Sequence, residues 1–130
     1  MGESASRGRT ILLVDDQPDV LGSLAVFLRY SFKDVEVRAA ESAAEALDVL
    51  RREPVDLVVT DYRMPGMDGL QFLEAVGRLA PGVPRILFTA HGNEAAFTTS
   101  AAERVLPKSI ALEELAAGVE GLLGQRTVPT

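Results

Sequence analysis

The chain has 130 residues, 47% of them hydrophobic, with a net charge of −6 and no cysteine. That length suits one domain with a full core, and the cysteine count excludes disulfides and thiolate metal sites. The acidic balance and 5% aromatic content argue against a nucleic-acid groove. No apolar run approaches the roughly 20 residues of a membrane span, and Met1 to Arg9 lacks the apolar stretch of a secretory signal, so a cytoplasmic protein without membrane contacts is expected.

Hydrophobic periodicity gives a repeating strand–helix order. Ile11 to Val14 is an apolar run that stops at Asp15-Asp16 and reads as a strand buried on both faces. Pro18 opens the first helix, where its missing N–H costs nothing, with Val20, Leu21, Leu24, Phe27 and Leu28 as the apolar stripe. Val35 to Ala39 is a second strand. Ser42 and Glu45 fit a capping box for the second helix, whose inner face is Ala46, Leu47 and Leu50 before Pro54. Asp56 to Thr60 is the third strand, with Asp61 at its end. After Met64-Pro65-Gly66-Met67-Asp68-Gly69, the residues Leu70, Leu73 and Val76 mark a third helix. Pro84 to Phe88 is a fourth strand ending at Thr89, and Asn93 to Ser100 a short fourth helix. Glu103 to Leu106 is a fifth strand ending near Lys108. Leu112, Leu115, Ala116, Val119, Leu122 and Leu123 stripe a fifth helix. Residues 1–9 read as a disordered tail, 10–123 as the folded domain, and 124–130 as a C-terminal tail or the start of a linker.

Alternating short apolar strands and helices imply an α/β domain with a parallel sheet covered on both faces. Ligands of such sheets bind beyond the C-terminal strand ends. Those ends carry Asp15, Asp16, Asp61, Thr89 and Lys108. Three carboxylates and one ammonium leave an excess of negative charge. Clustered carboxylates must protonate or recruit a cation, and Mg²⁺ is the hard cation that accepts a few carboxylates while keeping waters. An aspartate so placed can act as a covalent phosphoryl acceptor, since phosphoryl transfer needs mostly positioning and charge neutralisation.

In order and spacing, Asp15-Asp16, Asp61 with Met64-Pro65-Gly66-Met67-Asp68-Gly69, Thr89-Ala90 and Lys108 resemble the receiver domain of two-component response regulators, from about Thr10 to Leu123. The resemblance implies a flavodoxin-like (βα)₅ fold with strand order 2-1-3-4-5. It implies Asp61 as phospho-acceptor and Mg²⁺ held by Asp16, Asp61, the Arg63 carbonyl and Asp15, directly or through water. Thr89, Ala90 and Lys108 would bind phosphoryl oxygens. Arg63 and His91 occupy positions that tune phosphate lifetime. The implied partners are a histidine kinase or histidine phosphotransfer protein and a downstream effector protein or domain, with a phosphorylation-dependent dimer among the family's outputs. Asp68, Pro65 and Gly69 read as turn-shaping residues.

Three positions depart from the family pattern. Ser109 follows Lys108 where proline is usual. Val105 stands at the switch position, three residues before the lysine, where an aromatic is usual. Thr89 and Lys108 are only 19 positions apart, which shortens the fourth helix. Val105 and the shortened fourth helix support one alternative, a receiver-like interaction module whose output ignores phosphorylation. A hydrolase with an Asp nucleophile in a D-x-D arrangement after the first strand is disfavoured by Asp15-Asp16-Gln17. A flavodoxin proper is disfavoured by Gln17-Pro18-Asp19, which is not a phosphate loop.

Overall fold

The computed structural model describes residues 8–90, 101–108 and 112–127. Five parallel strands, β1 (Arg9–Val14), β2 (Val35–Ala40), β3 (Leu57–Thr60), β4 (Arg85–Thr89) and β5 (Arg104–Pro107), form one sheet in the order β2-β1-β3-β4-β5. The described helices are α1 (Pro18–Ser31), α2 (Ala43–Arg52), α3 (Gly69–Leu79) and α4 (Leu112–Thr127). The last corresponds to the fifth helix of the sequence reading and runs past Leu123. The expected fourth helix, Asn93 to Ser100, and its shortening lie outside the described residues.

Side-chain alternation along each strand sorts the core into two layers. Ile11 and Leu13 face one side with Leu57, Val59, Ile86 and Phe88, and meet Leu21, Leu24 and Leu28 of α1 and Leu115, Val119 and Leu123 of α4. Leu12 and Val14 face the other side with Val58 and Leu87, and meet Ala46 and Val49 of α2 and Phe72, Leu73 and Val76 of α3. Each central strand is therefore buried on both faces, as its uninterrupted apolar run requires.

The helix stripes differ in detail from the sequence reading. In α2, Val49 is buried while Leu47 and Leu50 pack from the margin. In α3, Phe72 is fully buried and Leu70 marginal. Leu112, expected in the last stripe, is 41% exposed. A helix covering a twisted sheet buries a face broader than a two-position stripe, which brings in Val49 and Phe72.

The caps also differ. Ser42 accepts the Glu45 N–H at 3.1 Å, but Glu45 Oε1 accepts the N–H of Glu41, one residue upstream of the cap, so the expected box at α2 is only half formed. The complete capping box sits at α3. Asp68 Oδ1 accepts the Gln71 N–H at 2.9 Å, and Gln71 Oε1 accepts the Asp68 N–H at 3.0 Å. None of the helices in the described residues is long and apolar enough to cross a membrane.

Candidate functional site

Strand register brings the chemistry together. Val14 of β1 pairs with Thr60 of β3, so Asp15 and Asp61 are the next residues on neighbouring strands. The Asp61 N–H donates to the Val14 carbonyl at 3.0 Å. On the other side, Thr89 of β4 pairs with Pro107 of β5, and the Lys108 N–H donates to the Thr89 carbonyl at 2.8 Å. The last ladder bonds of the sheet thus hold the first residues of the site.

Asp15 is only 2% exposed. Its Oδ1 accepts the Gln17 N–H at 2.9 Å, a local turn bond, and its Oδ2 accepts from Lys108 Nζ at 3.0 Å. Asp61 Oδ1 accepts the Tyr62 N–H at 2.8 Å, and its Oδ2 lies 3.5 Å from Lys108 Nζ. Asp16 is half-buried and lines a cleft of about 420 Å³ with Tyr62, Arg63, Met64, Pro65 and Asp68. Thr89 is buried at the end of β4, and Ala90 is exposed in the turn that follows. Val105 is half-buried in β5, paired with Leu87 and packed on the α2–α3 side of the sheet. His91 lies outside the described residues.

Burial raises the Asp61 pKa above the ordinary carboxylate value, and the nearby Asp15 charge adds to the rise. The Lys108 ammonium and the Tyr62 N–H work in the opposite direction. A carboxylate in this setting gains from a further cation. One oxygen from each of Asp15, Asp16 and Asp61 can be chosen so that all lie within 4.8 Å of one another. Six oxygens at the Mg²⁺ bond length of about 2.0–2.1 Å stand roughly 3 Å apart when adjacent and 4 Å when opposite. The all-oxygen cluster therefore fits this ion with a modest contraction. Asp15 and Asp61 already have a partner at each oxygen, so Asp16 is the freer donor.

Strand order and spacing bring Asp15, Asp16, Asp61, Thr89 and Lys108 to one edge, and the structure places them there. Nothing in the spacing marks Tyr62, whose backbone holds the Asp61 carboxylate. Asp68, expected only to shape a turn, caps α3, and its D-x-x-Q spacing to Gln71 is a visible capping-box signal.

Comparison with known proteins points to one family. Residues 11–120 match the family model of the response regulator receiver domain. Transcriptional regulatory protein GlrR of Escherichia coli K12 is 48% identical over 83 residues, covering 64% of this chain and 18% of GlrR. Response regulator MprA of Mycolicibacterium vanbaalenii is 37% identical over 122 residues, covering 92% of this chain and 52% of MprA. The chain thus spans about half or less of these relatives' length. Among solved structures, response regulator TrrA from Thermotoga maritima in complex with Mg²⁺–BeF is 31% identical with a TM-score of 0.80, covering 88% of this chain and 98% of that one. A CheY-like receiver domain protein from Methanospirillum hungatei is 27% identical with a TM-score of 0.83, covering 92% and 96%. The chain belongs to the response regulator receiver domain family.

Proposed function

We propose that this domain accepts a phosphoryl group on Asp61 in a Mg²⁺-dependent reaction and passes the signal to a partner protein or output domain. The observation that carries the proposal is the placement of Asp61 Oδ2 3.5 Å from Lys108 Nζ, within a cluster of three carboxylates. The donor would be the phosphohistidine of a histidine kinase or a histidine phosphotransfer protein, in the cytoplasm. The domain assists its own phosphorylation and dephosphorylation as a signalling module rather than turning over a separate substrate.

Asp16, Asp61, the Arg63 carbonyl and Asp15, directly or through water, would hold the ion. Bound there, Mg²⁺ would offset the charge of the carboxylates and of the incoming phosphoryl group. The Lys108 ammonium and the Tyr62 N–H favour the ionised form of Asp61, the nucleophile, against its burial. Asp61 Oδ2 attacks phosphorus. An O–P bond forms as the N–P bond of the donor breaks, and the imidazole leaves with the electron pair and takes up a proton. Lys108, the Thr89 hydroxyl and the Ala90 N–H then engage the phosphoryl oxygens, a stabilisation by groups positioned in advance. Arg63, exposed beside the cleft, and His91 tune how readily water reaches the acyl phosphate. Val105 has one stiff torsion and little volume, so the output does not proceed by an aromatic ring rotation at this position.

Intact mass after treatment with acetyl phosphate tests the reading. The parent protein should gain one phosphoryl group with Mg²⁺ and none in EDTA, and Asp61→Asn should gain none. Equal modification of Asp61→Asn would overturn it. A parent that stays unmodified while still binding its partner would favour the phosphorylation-independent interaction module.

A further inference from the structure

The peptide unit that follows the acceptor is held from both ends. The Tyr62 N–H donates to Asp61 Oδ1 at 2.8 Å, and the Tyr62 carbonyl accepts the Gly69 N–H at 2.7 Å. The backbone of Asp61 is fixed as well: its N–H donates to Val14, and its carbonyl accepts from the Thr60 hydroxyl at 2.9 Å. Gly69 is the first residue of α3 and lies directly against this segment. A Cβ built there would overlap the Asp61 carbonyl oxygen and stand 2.8 Å from Tyr62 Cα and 3.1 Å from Asp61 C. These are backbone atoms, which cannot turn aside as a side-chain tip can.

Gly69 is not among the glycines with positive φ, which in the described residues are Gly8 and Gly66. A side chain at 69 would therefore add contact without adding left-handed backbone strain. The helix behind it is firm. The Asp68–Gln71 capping box fixes its first turn, and Phe72, Leu73 and Val76 anchor it in the core. Met64, 8% exposed, pins the intervening loop into the same layer.

We infer that Gly69 is a positioning residue for the acceptor. The N-terminus of α3 serves as a backplate that sets the Tyr62 peptide plane. That plane fixes the Asp61 carboxylate through Oδ1 and leaves Oδ2 as the oxygen presented to the phosphoryl donor. The inference rests on Asp61 being the acceptor.

The test is the rate of modification by acetyl phosphate at saturating Mg²⁺, measured where circular dichroism shows each variant folded. Gly69→Ala should lose about tenfold or more in maximal rate, because displacement of a reacting group by around 1 Å costs up to a hundredfold, while the half-saturating donor concentration changes little. Val49→Ala, a core truncation in α2 remote from the site, should keep the parental rate although it is destabilised. Asp68→Ala, which releases the cap without inserting an atom, should lose roughly threefold, and Asp68→Asn, which still caps, should restore it. If Gly69→Ala does not fold, the Asp68 pair decides. A folded Gly69→Ala at parental rate, or equal losses in Val49→Ala, or Asp68→Ala at parental rate, overturns the inference alone. A parent protein that takes no phosphoryl group overturns the acceptor assignment and this inference with it.

Discussion

Lys108 lies closer to Asp15 than to Asp61: its Nζ is 3.0 Å from Asp15 Oδ2 and 3.5 Å from Asp61 Oδ2. The order is physically sensible. Asp15 is the more deeply buried carboxylate, and a buried charge must be paired. One ammonium thus neutralises Asp15 while remaining within reach of the oxygen proposed to carry phosphorus.

The pairing predicts a coupled stability effect. Lys108→Ala leaves Asp15 buried with one partner. Removing one member of a buried pair costs about 3–5 kcal/mol, less here because the lysine side chain is 24% exposed. A loss of about 1–3 kcal/mol at neutral pH without Mg²⁺ is expected from denaturant unfolding. In an Asp15→Asn background the cost should shrink by more than half. Strictly additive losses would contradict the pairing.

The raised pKa of Asp61 predicts the sign of a pH effect in EDTA. The folded state binds this proton more tightly than the unfolded state, so stability falls as pH rises from the ordinary aspartate range through the folded pKa. Asp61→Asn, which carries no charge at any pH, should be more stable than the parent at neutral pH. The difference should fade as pH falls through the folded pKa and be gone below about 3.9, the unfolded value. Paired thermal melts check this, and an Asp61→Asn protein less stable than the parent at neutral pH would refute it.

Mg²⁺ should reverse that penalty. An ion that binds only the folded state at a hundred times its Kd stabilises by about 2.7 kcal/mol. The melting temperature should rise with added Mg²⁺, and Asp16→Ala should lose most of the rise because Asp16 is a donor with capacity to spare. A flat response in the parent would count against the metal assignment.

Much of this site was legible because a parallel sheet converts chain order into geometry. Asp15 and Asp61 each follow directly on a buried strand end, and the Val14–Thr60 register then sets them side by side. The same logic placed Lys108 beside Thr89. What was not legible depends on choices among local partners. Glu45 bonds to Glu41 rather than to its cap, and Lys108 favours Asp15 over Asp61; neither preference is written in spacing alone. Gly69 read as a turn residue, because its close approach to Asp61 exists only once α3 has packed. His91 and the expected fourth helix lie outside the described residues.

The central claim is that Asp61, rather than any neighbouring aspartate, takes the phosphoryl group, and borohydride trapping tests it most directly. Hydride reduces an acyl phosphate at its carbonyl carbon and releases phosphate, turning a phosphorylated aspartate into homoserine. The protein would be treated with acetyl phosphate and Mg²⁺, reduced, digested and mapped by mass spectrometry. The account predicts homoserine at position 61 and unchanged aspartate at Asp15, Asp16 and Asp68. Homoserine at any of those three positions with Asp61 intact would contradict it.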